Sequence, residues 1–266
     1  MKKSIYCLVL IAVAASSLLF NSRLFASDMD DRIESTAKRS YVFKTYLKDD
    51  DIHIHSQNGD VALTGTVSGE TDKSLARETV AGLPGVKSVD NQLEVKGEIP
   101  AKLSDAWLVA AVKATLLFHH KVHANGTEVL AQDGIVTLRG QARNAAQKDL
   151  TTEYARDVEG VKDVKNEMTV PTAAMKPDEK TMGDAMDDIK ESVDDASITA
   201  LAKMTLLYHR STSALNTSVK TRNGVVMLGG EAQTKAEKNL AGRLVSDVRG
   251  VKGVVNNMRV RENRGN

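Results

Sequence analysis

Six histidines are the residues of this chain whose type best suits site chemistry. His119, His120 and His123 form an H-H-x-x-H string, and His53 and His55 follow the acidic run Asp49-Asp50-Asp51. Imidazoles and carboxylates at such spacings can ligate a metal. They also suit a helix C-terminus, where the dipole favours positive charge. The third copy of the same sequence stretch, 208–213, keeps only His209. Helix-end and strand-surface roles account for the pattern, and no metal or cofactor is expected. No nucleophile is set beside a base. There is no G-x-S-x-G and no phosphate-cradling glycine loop, and the single cysteine, Cys7, lies near the start of the chain. The carboxylates are scattered and differ between copies, so no catalysis is expected.

The remaining candidates concern binding. Trp107 is the sole tryptophan, and its counterparts in the other copies are Arg32 and Ser197. A position tolerant of Arg and Ser is expected at the surface, where an indole suits a membrane interface or a protein contact. Charge is unevenly spread. The segment 195–262 has 11 basic against 5 acidic residues, net +6, while 30–97 and 105–172 carry −3 and −1. The basic set includes Arg210, Lys220, Arg222, Lys235, Lys238, Arg249, Lys252, Arg259 and Arg261. Lys235 and Lys238 are placed on the outward face of a helix. Such a set suits an anionic partner, or is balanced by the stretch 173–194, net −4. Nucleic acid is not the expected partner, because little aromatic residue is interleaved to stack bases.

These residues sit on a sequence that repeats. Segments 30–97, 105–172 and 195–262 align without a gap, at offsets of 75 and then 90 residues. Asn58-Gly59, Asp133-Gly134 and Asn223-Gly224 coincide, as do Gly65, Gly140 and Gly230. So do Gly85-Val86-Lys87, Gly160-Val161-Lys162 and Gly250-Val251-Lys252. Triplication points to repeated binding surfaces rather than one cleft.

Within a copy the periods change from helical to alternating. In the second copy, Ser104 or Asp105 caps a helix reaching about His120, with Leu108, Val112 and Leu116 inward. The matching inward residues are Ile33, Ala37 and Tyr41, and Ile198, Ala202 and Leu206. A strand near 127–131 and the Asp133-Gly134 turn make a two-residue hairpin. The second strand sets Val136, Leu138, Gly140 and Ala142 on one face. The strand glycine is expected where a helix lies on the sheet. A second helix spans about 144–157 with Leu150 inward and is ended by Gly160. A last strand carries Val161, Val164, Asn166, Met168 and Val170. The expected fold is α+β: three α-β-β-α-β modules, each a three-stranded mixed sheet with two helices on one face and a right-handed crossover. The free faces of the second and third sheets carry Ile135, Val225 and Met227, and are expected to pack on each other or on a client protein.

The Asn/Asp-Gly hairpin, the V-x-L-x-G strand and the G-V-x-x-V-x-N-x-L/M-x-V strand resemble the BON domain. That family is named for bacterial osmotically induced and nodulation-related proteins. The resemblance covers all three copies, and tandem copies in an exported chain are similar to the osmotically inducible periplasmic members. It implies a non-catalytic module that attaches to phospholipid and protects the envelope under stress.

Residues 1–26 have the pattern of an export signal. Lys2 and Lys3 precede an apolar run from Ile5 to Phe20, and cleavage is expected between Ala26 and Ser27. A periplasmic location follows. Residues 98–104 form a short joint with Pro100. In the acidic linker 173–194, Met182, Met186, Ile189 and Val193 recur at helical spacing. The leading expectation is peripheral attachment to anionic phospholipid, with the third module supplying charge and Trp107 an apolar anchor. The alternative is a periplasmic chaperone or adaptor that binds client proteins through its sheet faces.

Overall fold

A computed structural model describes residues 28–97, 100–122, 126–171, 192–212 and 217–261. The expected export signal, His123 and the linker positions Met182, Met186 and Ile189 lie outside the described residues. Module 1 contains α1 (28–39), α2 (Tyr41–Thr45), β1 (Asp51–Gln57), β2 (Asp60–Val67), α3 (Glu70–Ala81), β3 (Ser88–Asn91) and β4 (Glu94–Val95). Module 2 contains α4 (Asp105–Phe118), β5 (Thr127–Gln132), β6 (Ile135–Gly140), α5 (Ala145–Arg156) and β7 (Asp163–Asn166). Module 3 contains α6 (Asp195–Tyr208), β8 (Thr217–Arg222), β9 (Val225–Ala232), α7 (Lys235–Ser246), β10 (Gly253–Asn256) and β11 (Arg259–Val260). Among the described residues no helix is long and apolar enough to cross a membrane.

Each module is the mixed α+β unit that the periodicity predicts. A hairpin pairs antiparallel, and its second strand pairs parallel with the strand after the second helix. Asn58, Asp133 and Asn223 have φ near +54°, at 55°, 54° and 53°, and the following glycines are also at positive φ. Two positive φ values in succession make the turn whose twist matches the flanking strands. One sheet face is apolar and covered by helices: Val61, Leu63 and Val67 in β2, and Val226, Leu228 and Ala232 in β9, are all buried.

Local devices position the helices. Ser104 Oγ accepts the Trp107 amide at 3.3 Å, and Asp194 Oδ1 accepts that of Ser197 at 2.9 Å. Asp105 is therefore free for another task. Its carboxylate accepts both hairpin amides, Asp133 N at 2.8 Å and Gly134 N at 2.9 Å. Asp30 and Asp195 do the same for Asn58-Gly59 and Asn223-Gly224. This ties the first helix of each module to its hairpin by charge-assisted bonds. Asn166 clips the last strand to α5, giving Nδ2 to Lys148 O and taking the Met168 amide on Oδ1. Asn91 and Asn256 repeat the clip.

Three expectations change. The strand glycine does not receive a helix. A Cβ on Gly65 would stand 2.1 Å from Asp51 O, and one on Gly140 the same from Gly126 O, so the neighbouring strand's backbone occupies the space. Gly160 does not end α5, which stops at Arg156 with Asp157 as its cap. Instead, a Cβ on Gly160 would meet Leu103 and Leu108, and Gly85 and Gly250 likewise lie against the first helices of their modules. Finally, the first helix of module 1 is broken at Ser40, and Tyr41 starts a second helix. The Tyr41 and Val42 amides bond to Asp194 Oδ2 at 2.8 Å and Ser197 Oγ at 3.1 Å. An unbroken helix would have used those amides internally.

The modules share a core. Ile198, Ala202 and Leu206 cover the module 3 sheet, while Ala200, Leu201, Met204 and Tyr208 on the other side of α6 join the apolar cluster of modules 1 and 2. A helix apolar all round belongs in an interior, and here it is the joint of the molecule.

Candidate functional site

The outward face of the module 3 sheet gathers apolar and cationic side chains. β9 pairs with β8 on one side and β10 on the other, which puts Lys220, Met227 and Val255 in one cross-strand row. Arg222, Val225 and Gly253 form the next. Val225, Met227 and Val255 are 37%, 39% and 45% exposed, high for side chains of this kind. Lys220 and Arg222 are also exposed, and none of these six positions is acidic. The Lys252 stem crosses the hairpin against Gly224 and brings a third cation to the rim. The result is an apolar strip edged by charge, which can dip into an interface while its cations meet anions.

The same rows differ in the other modules. In module 1 they read His55–Ala62–Asp90 and Gln57–Asp60–Ser88, and in module 2 Leu130–Thr137–Lys165 and Gln132–Ile135–Asp163. The backbone lattice is common to all three, so the surface chemistry is set by the side chains it carries. The exposed Val225 and Met227 do not pack on the module 2 sheet.

The other expected residues lie elsewhere. Lys235 and Lys238 sit in the first turns of α7, which packs on the inner face of the sheet. They are therefore on the opposite side of the module from Lys220 and Arg222. Arg210 and Arg249 belong to the seam between modules 2 and 3. The Arg210 amide bonds Asp157 O at 2.9 Å and its guanidinium Val161 O at 3.2 Å, while the Arg249 amide bonds Phe118 O at 2.9 Å. The Arg249 guanidinium neighbours the Tyr46 hydroxyl, whose pKa is pushed up by burial.

Trp107 is not an exposed anchor. It is half-buried, packed against the shared core and edge-on to Tyr208 of module 3, with ring centroids 6.0 Å apart. Its counterpart Ser197 is fully buried. The counterpart Arg32 is exposed, but the position is covered in modules 2 and 3, because each first helix meets a different neighbour.

The histidines also separate. His53 and His55 are exposed on β1, beside Asp51 and Glu34. His120 Nδ1 lies 2.9 Å from Asp247 O, while His119 is fully buried and stacked on Tyr154. Among the described residues no three His, Cys, Asp or Glu side chains are grouped to hold a metal ion. The Asp latch on the hairpins and the Asn clip escaped sequence reasoning. Their signal was present, since both residues recur at one position in all three copies, the aspartate 28 residues before the turn Asn/Asp and the asparagine six residues after the glycine of Gly-Val-Lys.

Comparison with known proteins agrees with this architecture. The BON domain profile matches residues 29–97, 104–172 and 194–262, and the chain belongs to the BON domain family. It is 30% identical to Osmotically-inducible protein Y of Escherichia coli over 143 residues, 52% of this chain and 71% of that one. It is 32% identical to a 21 kDa hemolysin of Actinobacillus pleuropneumoniae over 115 residues, covering 42% and 59%. It is 27% identical to Outer membrane lipoprotein DolP of Haemophilus influenzae over 157 residues, covering 56% and 79%.

Proposed function

We propose that this chain is an exported, non-catalytic protein of the bacterial envelope that attaches to anionic phospholipid through the outer sheet face of module 3. The observation that carries the reading is the Val225–Met227–Val255 strip edged by Lys220, Arg222 and Lys252 on the module of net charge +6. Each cation near an anionic surface contributes ~1 kcal/mol, and the effect weakens with salt. The relatives named for osmotic induction and for the outer membrane support an envelope role under osmotic or envelope stress. The anchor in this reading is the valine–methionine strip, not Trp107.

The test is co-sedimentation of the chain from Ser27 onward with zwitterionic and anionic liposomes at low and high salt. Salt-sensitive pelleting with anionic lipid is expected. It should be lost in Lys220→Glu/Arg222→Glu, reduced in Met227→Ser and retained in Lys235→Glu/Lys238→Glu. No pelleting of the parent, or loss only in the α7 variant, rejects the surface. A second reading is favoured by the outward Leu130 of module 2, 41% exposed, which extends apolar outer surface beyond module 3. On that reading the sheets bind client proteins as a chaperone or adaptor, and binding survives high salt.

A further inference from the structure

The helix ends of modules 2 and 3 meet in a pattern that maps onto itself through the 90-residue offset. His119 bridges Val248, and Val158 bridges His209. His120 N bonds Asp247 O at 3.3 Å, and Arg210 N bonds Asp157 O at 2.9 Å. Glu159 N bonds Tyr208 O, and Arg249 N bonds Phe118 O, each at 2.9 Å. Each of these backbone contacts has its mate, so the two modules are joined about a local two-fold axis, as in an isologous dimer.

A small cavity of about 10 Å³ lies within this seam, lined by Thr115, His119, Tyr154, Asp157, Thr205 and His209 among others. His119 is fully buried, its ring parallel to that of Tyr154 with centroids 4.0 Å apart. Neither of its ring nitrogens has a hydrogen-bond partner, and His209 Nε2 and Thr205 Oγ1 share that state. A charged imidazole in such a place is costly, because burial removes its hydration and no acceptor replaces it.

We propose that His119 is an acid-sensitive latch: uptake of a proton by its ring parts module 3 from module 2 along this seam. The surrounding charges offset that proton only in part. On its own segment stand His120 and Lys121, and α5 and its cap present Tyr154 and Asp157. His209 and Arg210 follow α6, and Asp247 and Arg249 follow α7. The two carboxylates are engaged elsewhere. Asp157 Oδ2 is 3.6 Å from His209 Nε2, and Asp247 is held by Lys121 and by the Tyr154 hydroxyl at 2.8 Å.

The direction with pH follows from the ring's surroundings. Burial pulls the His119 pKa from its ordinary 6.5 down to about 4, with the Asp247 backbone and charge offsetting only part. The closed seam therefore binds fewer protons than the open one between these values. Its stability is complete well above pH 6.5 and falls by up to about tenfold in equilibrium constant per unit below it, reaching a loss of about 160-fold at pH 4. The carboxylates act lower. The neighbouring His209 holds Asp157 below its ordinary 3.8. Burial opposes ionisation of Asp247, but Lys121 and Tyr154 outweigh it and depress that group too.

The test is amide hydrogen exchange on the full chain between pH 7 and 4, corrected for intrinsic rates. Protection of the His120, Glu159, Arg210 and Arg249 amides is expected to fall by about 100-fold from pH 7 to 4, while Leu63 in β2 changes far less. His119→Phe keeps a ring against Tyr154 but takes no proton, and should abolish the fall. The parent's own His119 ring, titrated by NMR, should show a pKa near 4, which keeps the test independent of how the variant folds. A seam-specific fall that persists in folded His119→Phe overturns the proposal. So does seam protection that is flat with pH, or a His119 ring pKa near 6.5 in the native chain.

Discussion

Modules 2 and 3 join through a reciprocal set of backbone bonds at their helix ends, whereas module 1 docks through side chains. At the positions of His119 and His209, module 1 has Lys44; for Asp157 and Asp247 it has Gly82; for Glu159 and Arg249 it has Pro84. Proline has no amide hydrogen, so one rung of the seam cannot form. Module 1 instead lays α3 along α6, where Thr71 Oγ1 meets the Tyr208 hydroxyl at 2.7 Å and Lys203 pairs with Glu78 at 2.6 Å. Asp194 and Ser197 take the amides of its broken first helix, and Tyr46 donates to Leu117 O at 3.2 Å. Three aligned modules thus dock in two ways, and the choice rests on a few helix-end residues rather than on the fold.

The strongest attack on this picture is Leu201→Ala. Leu201 is fully buried on the side of α6 that faces modules 1 and 2. Truncation should cost about 3 kcal/mol and shift the urea unfolding of the whole chain. Loosening confined to module 3 would mean that the cores are separate. Next come Arg249→Pro and Glu159→Pro, which give modules 3 and 2 the residue of module 1. Each leaves a seam carbonyl without its donor and should cost about 2 kcal/mol. A loss at one position with none at the other would contradict the two-fold relation, and Arg249→Ala measures the share owed to its guanidinium beside Tyr46. Asp194→Ala should cost about 1–2 kcal/mol, because the carboxylate caps α6 and also holds the Tyr41 amide. Ser104→Ala, at the equivalent position of module 2, removes only a helix cap and should cost about 1 kcal/mol. Urea titrations of the pair measure how much of the difference belongs to docking.

The smallest effect concerns Asp72, which lies in α3 near Asp50. Burial raises its pKa to about 6, and the Asp50 charge adds to the shift. A carboxyl raised in the folded state stabilises most below its ordinary 3.8 and loses that contribution as pH rises through 6. At pH 7 the ionised group is therefore a penalty, moderated by its partial solvation. Asp72→Asn should raise stability by about 1 kcal/mol at pH 7, and the gain should vanish by pH 4. Paired urea titrations at the two pH values check the sign.

Much of each module was legible because the controlling interactions are local. Asn58-Gly59 and its repeats demand positive φ in succession, and the alternation in Val136, Leu138 and Ala142 fits only a half-buried strand. The recurrence of Asp105 and Asn166 was visible too, but their tasks were not. Asp105 looked like a helix cap until the hairpin amides 28 residues away came within its reach. Gly140 looked like a seat for a helix because nothing in the sequence tells which backbone stands 2.1 Å from an added Cβ. The cationic–apolar face was half legible. Val225 and Met227 alternate outward along one strand, but Val255 joins them only through the parallel register of β10.

The sequence by itself determined the module: its order of elements, its turns and the faces that must be buried, since these follow from backbone preference and hydrophobic period within about 70 residues. Only the tertiary structure decided how the modules meet. Arg210 and Arg249 became seam residues, Trp107 was half-buried on Tyr208, and His119 lost its solvent. Those outcomes depend on surfaces from different copies coming into contact, and a helix-end residue carries no local sign of which neighbour it will face.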